Sequence, residues 1–380
     1  MKTYKHLYEK LIAIENLEEA YWKARRGKVS KSYIQKFDKH YRLHLAILYR
    51  ELKDKTYQPK PLKSFILRDP KTRKICVSDF RDRIVHHALI NILQPIFESR
   101  FIHDSYASRK NKGTSTALQR FDYFKNKINS KYSLGYVFKA DIKRYFDTVD
   151  HNVLMTIINQ KIKDDDLLSL VQKILNNFEN KIPGKGMPLG NWTSQFFANI
   201  YLNELDQFIK HKLKAKYYIR YVDDFVILHK SKKTLQNYQQ LIKEFLRELK
   251  LQFHPNKCKI VPLKRGVSFI GCKIFQHHKL LIKRNIKKIT TKPHELLNFY
   301  EQSIISQEDL FNVYNGWNGY AQQANTYTLR QNMKKYLKME LEKRTNTRKS
   351  IIQEMASIQI EEMKETANMM PSPINLENSW

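Results

Sequence analysis

Two adjacent acidic residues, Asp223 and Asp224, lie between two apolar runs that are typical of β-strands. Carboxylates in a half-buried hairpin are costly unless a positive partner neutralises them, and either a basic side chain or a divalent metal would do so. A third acid, Asp141, ends an earlier apolar run. Three carboxylates at the ends of neighbouring strands would form an open oxygen site of the kind that Mg²⁺ prefers, and two such ions can clamp the oxygens of a phosphoryl transfer. The doublet alone also fits an ordinary hairpin turn, since Asp is common in turns.

Short strands must position these acids. The apolar run over 136–142 predicts a buried strand, and the runs over 217–221 and 225–229 predict a tight hairpin because only 222–224 separate them. Asp150 is placed to cap the helix that follows the first strand. Most other segments show the three- and four-residue apolar spacing of helices, so we expect an α+β fold.

The charge of the chain indicates a polyanionic partner. The 380 residues include 69 Lys and Arg against 37 Asp and Glu, which gives a formal net charge of +32. Self-repulsion on this scale is tolerable when a polyanion neutralises it. Basic clusters recur along the chain with 22 Tyr and 20 Phe interleaved, a combination that suits phosphates and bases of a nucleic acid. A solvated basic surface is the alternative interpretation.

The composition excludes several classes of protein. Hydrophobic residues make up 42 %, which excludes a disordered chain. No apolar run approaches the roughly 18 residues that would span a bilayer, and the N-terminus lacks the pattern of a signal peptide. Three widely spaced cysteines form no CxxC pair and predict neither a zinc site nor a disulfide framework. We therefore expect a cytoplasmic protein with no membrane partner.

Residues 351–380 differ from the rest of the chain. They carry five Glu against the single Lys364, and a Pro-Ser-Pro break begins at Pro371. This acidic segment could be a docking segment or a loosely ordered tail, and its composition favours the tail.

Seven sequence blocks, in order, resemble those of reverse transcriptases over roughly residues 60–335. The blocks are 70–73 with 80–88, 106–113, 141–147, 187–195, 221–224, 255–257 and 269–271. The resemblance implies a right-hand polymerase with fingers, a palm with an antiparallel sheet and a helical thumb. It also implies two Mg²⁺ ions, with Mn²⁺ as a substitute, and DNA synthesis on an RNA template.

This resemblance divides the chain into five parts. We expect an N-terminal helical extension, fingers, a palm with an interleaved fingers segment, a basic helical thumb and an acidic C-terminal extension. Their respective bounds are 1–55, 56–135, 136–283, 284–345 and 346–380.

The resemblance also implies roles for single residues. Asp141, Asp223 and Asp224 would be catalytic and would hold the metals, helped by the carbonyl of Ile142. The residues expected to contact the dNTP are Lys71, Arg73, Arg109, Phe146, Leu189 and Lys257. The first three would grip the triphosphate, which suits guanidinium and ammonium groups.

Other roles concern the sugar and the duplex. Phe146 would pack where a ribose 2′-OH would sit and so select dNTPs, and Lys257 would approach the active site from the sixth block. The residues expected to bind nucleic acid are Lys283, Arg284, Lys287, Lys288 and Trp317. The basic residues would lie along the template–primer backbone, although they also fit a solvated helix face.

Leu189 departs from the pattern of many reverse transcriptases, which place Gln there. An apolar residue at this position, followed by Ser194 and Gln195, is similar to the enzymes of diversity-generating retroelements, which misincorporate opposite template adenine. Because Leu cannot form a hydrogen bond, polar restraint on the incoming nucleotide would be weaker. A neutral packing change is the alternative.

These features lead to one expected function and two alternatives. We expect a bacterial or phage-encoded RNA-directed DNA polymerase that makes cDNA from a dedicated structured RNA, with errors opposite adenine. Its expected partners are the template RNA, the RNA–DNA duplex, dNTPs, and a small accessory protein or a second copy of the chain. The first alternative is a defence-associated enzyme that makes protective DNA on a noncoding RNA or without an ordinary template. The second is a catalytically idle RNA-binding or splicing-assistance protein.

Overall fold

The structure is a computed structural model, and it describes residues 2–68, 71–128 and 135–368. The side chains of 287–293, 347–352, 354–356, 358 and 360–368 lie outside that description. The chain divides into two compact units, one ending at Ile270 and the other beginning at Gly271. Helices and short strands are mixed in the element order, so the predicted α+β class is confirmed. The finer division into five parts stays a prediction.

The first unit combines helices with a small central sheet. The helices are α1 (Tyr8–Ile12), α2 (Ile14–Arg25), α3 (Ser32–Asp38), α4 (Tyr41–Lys53), α5 (Phe80–Glu98), α6 (Thr114–Ile128), α7 (Tyr145–Thr148), α8 (His151–Asn159), α9 (Asp165–Asn176), α10 (Trp192–Gln207) and α11 (Lys232–Glu248). The strands are β1 (Lys63–Leu67), β2 (Arg73–Val77), β3 (Tyr136–Asp141), β4 (Tyr217–Tyr221), β5 (Asp224–His229), β6 (Lys259–Pro262) and β7 (Val267–Phe269).

The central sheet has the strand order β4-β5-β3-β6, and every neighbouring pair is antiparallel. Val137, Phe138 and Phe225 are fully buried, which is why these strands read as nearly continuous apolar runs in the sequence. Each such side chain contributes about 1.5–3 kcal/mol on burial. The sheet is therefore a rigid base for the acids at its end.

Two local features position the site: the helix cap predicted at Asp150, and a connection between two segments that was not predicted. Asp150 caps α8, since its side chain accepts a hydrogen bond from the backbone N–H of Val153 at 3.1 Å. The segment before α10 is tied to β2, because the Cys76 N–H donates to the Leu189 carbonyl at 2.9 Å and the Ser78 N–H donates to Asn191 Oδ1 at 3.0 Å. The fourth sequence block is thus anchored to the base of a hairpin.

That hairpin, formed by β1 and β2, is the most exposed pair of strands in the first unit. Its antiparallel register runs from Lys63 opposite Val77 to Leu67 opposite Arg73, and all five residues of β1 are exposed. A hairpin with so little burial depends on ligands or neighbours for further stabilisation.

The second unit is mainly helical. It contains β8 (Cys272–Ile274), β9 (Lys279–Leu281), α12 (Lys283–Glu301), α13 (Gln307–Ala321) and α14 (Tyr327–Asn368). Its own core is built from side chains of the three helices, including Leu297, Leu310 and Leu337.

The C-terminal segment corrects one expectation. Helix α14 continues to Asn368, so the loosely ordered tail expected from residue 351 is wrong for 351–368. The segment contains no Gly or Pro before Pro371, and its Gln, Glu, Met and Ala residues are good helix formers. Residues 369–380 lie outside the described residues. Across the part of the chain that is described, no helix is both long and apolar enough to cross a membrane.

Candidate active site

The three acids singled out from the sequence lie at one end of the central sheet. The register of β3 with β5 sets Asp141 directly opposite Asp224. The backbone N–H of Ile142 donates to the carbonyl of Asp223 at 3.3 Å, which brings the third acid to the same place. Directly opposite residues in an antiparallel pair have Cα atoms about 4.5–5.5 Å apart, so the structure brings these acids together as predicted.

The turn that carries Asp223 is in a strained conformation. Only Val222 and Asp223 connect β4 to β5, and Val222 has a φ of 56°. A β-branched residue rarely adopts this left-handed region, and such a conformation costs of the order of 1–3 kcal/mol. Surrounding contacts must therefore hold the turn in place.

Two lysines neutralise the acids. Lys257 Nζ lies 2.7 Å from Asp141 Oδ2, which places this residue at the site where it was expected. Lys139 Nζ lies 3.2 Å from Asp224 Oδ2 and also donates to the carbonyl of Ser268 at 2.6 Å. The repulsion among three nearby carboxylates is thus partly offset by positive charge from the neighbouring strands.

Burial changes the proton affinity of the acids. It raises the pKa of Asp224 to about 7; Lys139 opposes this shift, whereas Asp141 and Asp223 add to it. Burial is also the main cause that raises the pKa of Asp223, followed by the charge of Asp141. A group that is costly to ionise in the protein alone gains from a nearby cation.

The donor chemistry fits a hard divalent cation. All the side-chain donors are carboxylate oxygens, and Asp224 Oδ1 is buried without a hydrogen-bond partner among the described residues. In the same described part of the chain, however, no set of three His, Cys, Asp or Glu side chains is arranged closely enough to hold one metal ion. Lys139 and Lys257 hold two of the carboxylates instead.

A buried polar network lies beneath the turn. Arg220 and Asp206 are both fully buried, and two hydrogen bonds join them, from Nε to Oδ1 at 2.8 Å and from Nη2 to Oδ2 at 2.6 Å. Tyr218 Oη donates to the same carboxylate at 2.6 Å. The guanidinium also donates to the carbonyl of Val222 at 3.1 Å, and so supports the strained residue directly.

The same arginine connects the turn to its neighbours. Arg220 Nη1 donates to Asn199 Oδ1 and Nη2 donates to Ser105 Oγ, each at 3.1 Å. Asn199 Nδ2 in turn donates to the carbonyl of Ala107 at 2.8 Å. We call the side chains of Ser105, Asn199, Asp206, Tyr218 and Arg220 the polar floor.

A cavity of about 240 Å³ adjoins the catalytic turn. Its lining includes Ser108, Phe146, Leu189, Gln195, Asn199 and Val222. Phe146 and Leu189, which were expected to contact a nucleotide, therefore face a common space beside the acids.

A family comparison identifies the chain. The model of the family described as "Reverse transcriptase (RNA-dependent DNA polymerase)" matches residues 34–274, which is more than half of the sequence. The chain belongs to the reverse transcriptase family. The expected right-hand polymerase fold is thereby confirmed, and RNA-directed DNA polymerisation is the activity of this family.

Relatives of this reverse transcriptase include two bacterial proteins. Protein YkfC of Escherichia coli K12 is 26 % identical over 309 residues, which cover 69 % of this chain and 78 % of YkfC. The group II intron-encoded protein LtrA of Lactococcus lactis subsp. cremoris is 27 % identical over 317 residues, which cover 64 % of this chain. The match spans 52 % of LtrA, about half of its length.

A solved structure is similar as well. It is telomerase from Candida albicans in complex with the TWJ fragment of telomeric RNA. It is 12 % identical, with a TM-score of 0.48, and the match covers 76 % of this chain and 55 % of the telomerase.

Arg109, which was expected to bind the triphosphate of a dNTP, already forms hydrogen bonds within this reverse transcriptase. The Arg109 side chain is only 7 % exposed, and its Nε donates to Glu98 Oε1 at 2.7 Å. Its Nη1 donates to the carbonyls of Ile102 and Ser105 at 2.7 and 2.8 Å. This placement does not support the triphosphate role of Arg109, because its donors hold the loop before α6 instead.

The other cations expected at the triphosphate are on the exposed hairpin. Lys71 lies in the turn after β1 and Arg73 opens β2, and both side chains are exposed. The charge of Arg73 lowers the pKa of Asp223, although burial outweighs it, so this guanidinium acts electrostatically on the site.

The residues expected to bind nucleic acid belong to the second unit. Lys283 and Arg284 are exposed in the first turn of α12, whereas the side chains of Lys287 and Lys288 lie outside the described residues. Trp317 is half-buried against the core of the second unit, and its Nε1 is buried with no partner among the described residues. Much of the Trp317 ring therefore serves packing within this unit.

Sequence reasoning missed several residues of the site. Arg220 is the one charged residue in the apolar run of β4. A lone arginine in a buried strand indicates a buried acidic partner, and this signal could have identified Arg220. Lys139 has the same signature in β3. Gln195 was quoted as part of a motif, but no signal in the sequence pairs it with Ser108.

Proposed function

We propose that this chain makes cDNA from a dedicated structured RNA by nucleotidyl transfer. The observation that carries the proposal is the register that sets Asp141 opposite Asp224, with Asp223 in the turn between β4 and β5. Asp141, Asp223, Asp224 and the carbonyl of Ile142 would hold two Mg²⁺ ions, for which Mn²⁺ could substitute. When bound, these ions would stabilise the attacking and leaving oxygens of the transfer.

The chain's own residues would bind and orient the nucleotide. Lys71 and Arg73 supply exposed positive charge for the triphosphate, and Lys257 supplies charge at Asp141. Phe146 lines the cavity and would exclude a ribose 2′-OH by its bulk. The relative LtrA is encoded by a group II intron, which supports a structured RNA as template.

We further propose that copying is error-prone opposite template adenine, as in diversity-generating retroelements. Leu189 lines the cavity, and its side chain offers no hydrogen bond where many relatives have Gln. A site without that polar restraint discriminates less between correct and incorrect nucleotides. A small accessory protein or a second copy of the chain would dock on the basic surface.

Sequencing the DNA made by the purified full chain tests this proposal. The reaction contains a primed RNA of mixed sequence, Mg²⁺ and four dNTPs. We expect template-copied DNA with errors concentrated opposite adenine. Leu189→Gln should lower the error rate at adenine, whereas the apolar control Leu189→Met should leave it unchanged. Identical error spectra in the wild type and Leu189→Gln would contradict the role of Leu189.

The same reaction separates the alternatives. DNA of a simple sequence unrelated to the added RNA would support a defence-associated enzyme, for which the acidic C-terminal extension is the motivating feature. RNA binding without synthesis on any primed template would support a splicing-assistance protein. Similarity to the mitochondrial nuclear intron maturase 1 of Arabidopsis thaliana, 31 % identical over 117 residues, is the observation that favours this second alternative.

A further inference from the structure

Two amide side chains lie on one face of α10 beside the catalytic turn. Gln195 and Asn199 are four residues apart, so they are neighbours on the helix surface, and both line the cavity. Asn199 is 2 % exposed, its Nδ2 donates to the carbonyl of Ala107, and its Oδ1 accepts from Arg220. It cannot turn toward a nucleotide without leaving buried groups unpaired, which is costly. Asn199 is therefore a fixed part of the polar floor.

Gln195 is held at one end only. Its Oε1 accepts a hydrogen bond from Ser108 Oγ at 2.8 Å, whereas its Nε2 has no partner among the described residues. Ser108 itself has a φ of 53°, a left-handed conformation that is uncommon for Ser. Because Ser108 occupies the amide oxygen, Gln195 keeps a free N–H₂ donor in an exposed position at the cavity.

The rest of the lining makes this donor distinctive. Phe146 and Leu189 offer no hydrogen bond, and the donors of Asn199 and Ser108 are already engaged. Within the described lining, Gln195 Nε2 is thus the side-chain donor that a ligand can still use. A nucleotide that enters the cavity meets two apolar surfaces and one amide donor.

The chemistry of base pairs indicates which acceptor fits. Every Watson–Crick pair presents an acceptor on its minor-groove edge, N3 of a purine or O2 of a pyrimidine, whereas the major-groove pattern differs from pair to pair. A single donor at the minor-groove edge would bind all four pairs, and it would favour pairs of correct geometry without reading sequence. This suits a polymerase, which must accept every template base.

We propose that Gln195 contacts the substrate and determines specificity by donating from Nε2 to the minor-groove acceptor of the nascent base pair, with Ser108 holding the amide in place. The inference rests on the proposed function, because it requires a template–nucleotide pair in the cavity. It assigns to Gln195 a polar contact that Leu189 cannot make.

Removal of the acceptor atom tests this contact. Single-nucleotide extension is measured on two primed RNA templates. One carries 3-deazaadenosine at the templating position and is copied with dTTP, and the other carries uridine and is copied with 3-deaza-dATP. Natural adenine serves as the reference in both. For the wild type, we expect loss of N3 to lower kcat/KM by about threefold to tenfold in at least one of the two reactions, the size of one neutral hydrogen bond.

The variant Gln195→Leu makes the test a double-mutant cycle. We expect it to lose about threefold to tenfold with the natural pair and to lose nothing further with the deaza analogue, because the donor and the acceptor belong to one interaction. Gln195→Glu, which keeps the shape and lacks the N–H₂ donor, should likewise lose nothing further with the deaza analogue. Ser108→Ala should reduce the sensitivity to the analogue without abolishing it.

Controls distinguish this contact from folding and from the proposed function. Gln195 is exposed, so its variants should unfold at the wild-type temperature; Gln240→Leu, which removes an exposed amide from α11, should show wild-type sensitivity to the analogue. If the wild type extends primers and Gln195→Leu is as sensitive to both analogues as the wild type, the inference about Gln195 is wrong while the proposed function stands. If the wild type extends no RNA-templated primer, the proposed function itself fails.

Discussion

Beneath the catalytic turn, Arg220 and Asp206 are fully buried and joined by two short hydrogen bonds, and Arg220 also donates to Val222, Asn199 and Ser105. On the hairpin of β1 and β2, the reverse holds. The side chains of Lys71, Arg73 and Lys74 form no hydrogen bond or ion pair with the described residues, and Lys63 at the base of β1 lies 3.9 Å from Asp79 Oδ2. Both regions are rich in charge, yet one region is bonded internally and the other is open to solvent.

The difference separates two uses of charge. Buried and fully bonded charges fix geometry, because moving any one of them leaves another unpaired in a medium of low dielectric. Exposed cations on a hairpin can rearrange around a ligand and contribute little to stability. We therefore expect substitutions in the polar floor to change folding and catalysis together, and substitutions in the hairpin to change nucleotide affinity alone.

The largest loss of stability is expected from a substitution at Arg220. Arg220→Met should lower the free energy of unfolding by about 3–5 kcal/mol, since it leaves Asp206 buried without a counter-charge. The double variant Arg220→Met with Asp206→Leu should regain much of that stability, because an apolar pair can replace a buried ion pair. Denaturant unfolding and primer extension would be measured on the same preparations.

The double variant decides between a structural role and a positioning role. We expect it to remain slow in primer extension even where stability is recovered, since the carbonyl of Val222 and the amide of Asn199 still lack their donor. A double variant with wild-type kcat would show that Arg220 stabilises the protein without positioning the turn.

A smaller effect on stability is expected from His86, a residue of α5 that is 4 % exposed. Burial lowers the pKa of His86 to about 3, with the charges of His87 and Arg83 adding to the shift. Between about pH 6.5 and 3, the unfolded chain binds a proton that the folded chain does not, so stability falls as the pH falls. The expected loss from pH 7 to pH 5 is about 2 kcal/mol from this group.

Urea titrations of the wild type and His86→Leu at pH 7 and pH 5 measure this contribution. The variant should lose less stability on acidification than the wild type. Equal losses would mean that His86 does not contribute this pH dependence, and would weaken the contrast between a buried site and a solvated hairpin.

The smallest effect is expected on the hairpin. Arg73→Gln should raise the KM for dNTP about tenfold, equivalent to about 1.4 kcal/mol, with kcat nearly unchanged. The free energy of unfolding should stay within about 0.5 kcal/mol of the wild type, as for most exposed positions. Arg50→Gln, an exposed change on α4, is the matched control and should alter neither quantity. A fall in kcat with unchanged KM would place Arg73 in the transfer step rather than in nucleotide binding.

The same contrast explains what the sequence could predict. The strands that carry Asp141, Asp223 and Asp224 were predictable because continuous apolar runs and a short connection are local signals. The cap at Asp150 was predictable for the same reason. Such features depend on residues that are close in the sequence.

Features that depend on distant partners were not predictable. The role of Arg220 depends on its hydrogen bonds to Asp206, fourteen positions away on α10. The position of Arg109 depends on its hydrogen bond to Glu98 on α5. The role expected for Arg109 came from its motif, and the motif carries no information about which carboxylate lies nearby. The helix over 351–368 was not predicted, because the acidic composition of this segment indicated a tail although its residues have high helix propensity.

The central claim is that Asp141, Asp223 and Asp224 form one nucleotidyl-transfer centre, and single-nucleotide extension of a DNA primer on an RNA template tests it most directly. Rates are compared for the wild type, Asp223→Asn and the control Asp165→Asn, an exposed acid on α9. We predict that Asp223→Asn lowers the rate by at least about a thousandfold, the effect of losing several kcal/mol of transition-state stabilisation, while binding of the primed RNA is retained. Wild-type extension by Asp223→Asn would contradict the assignment.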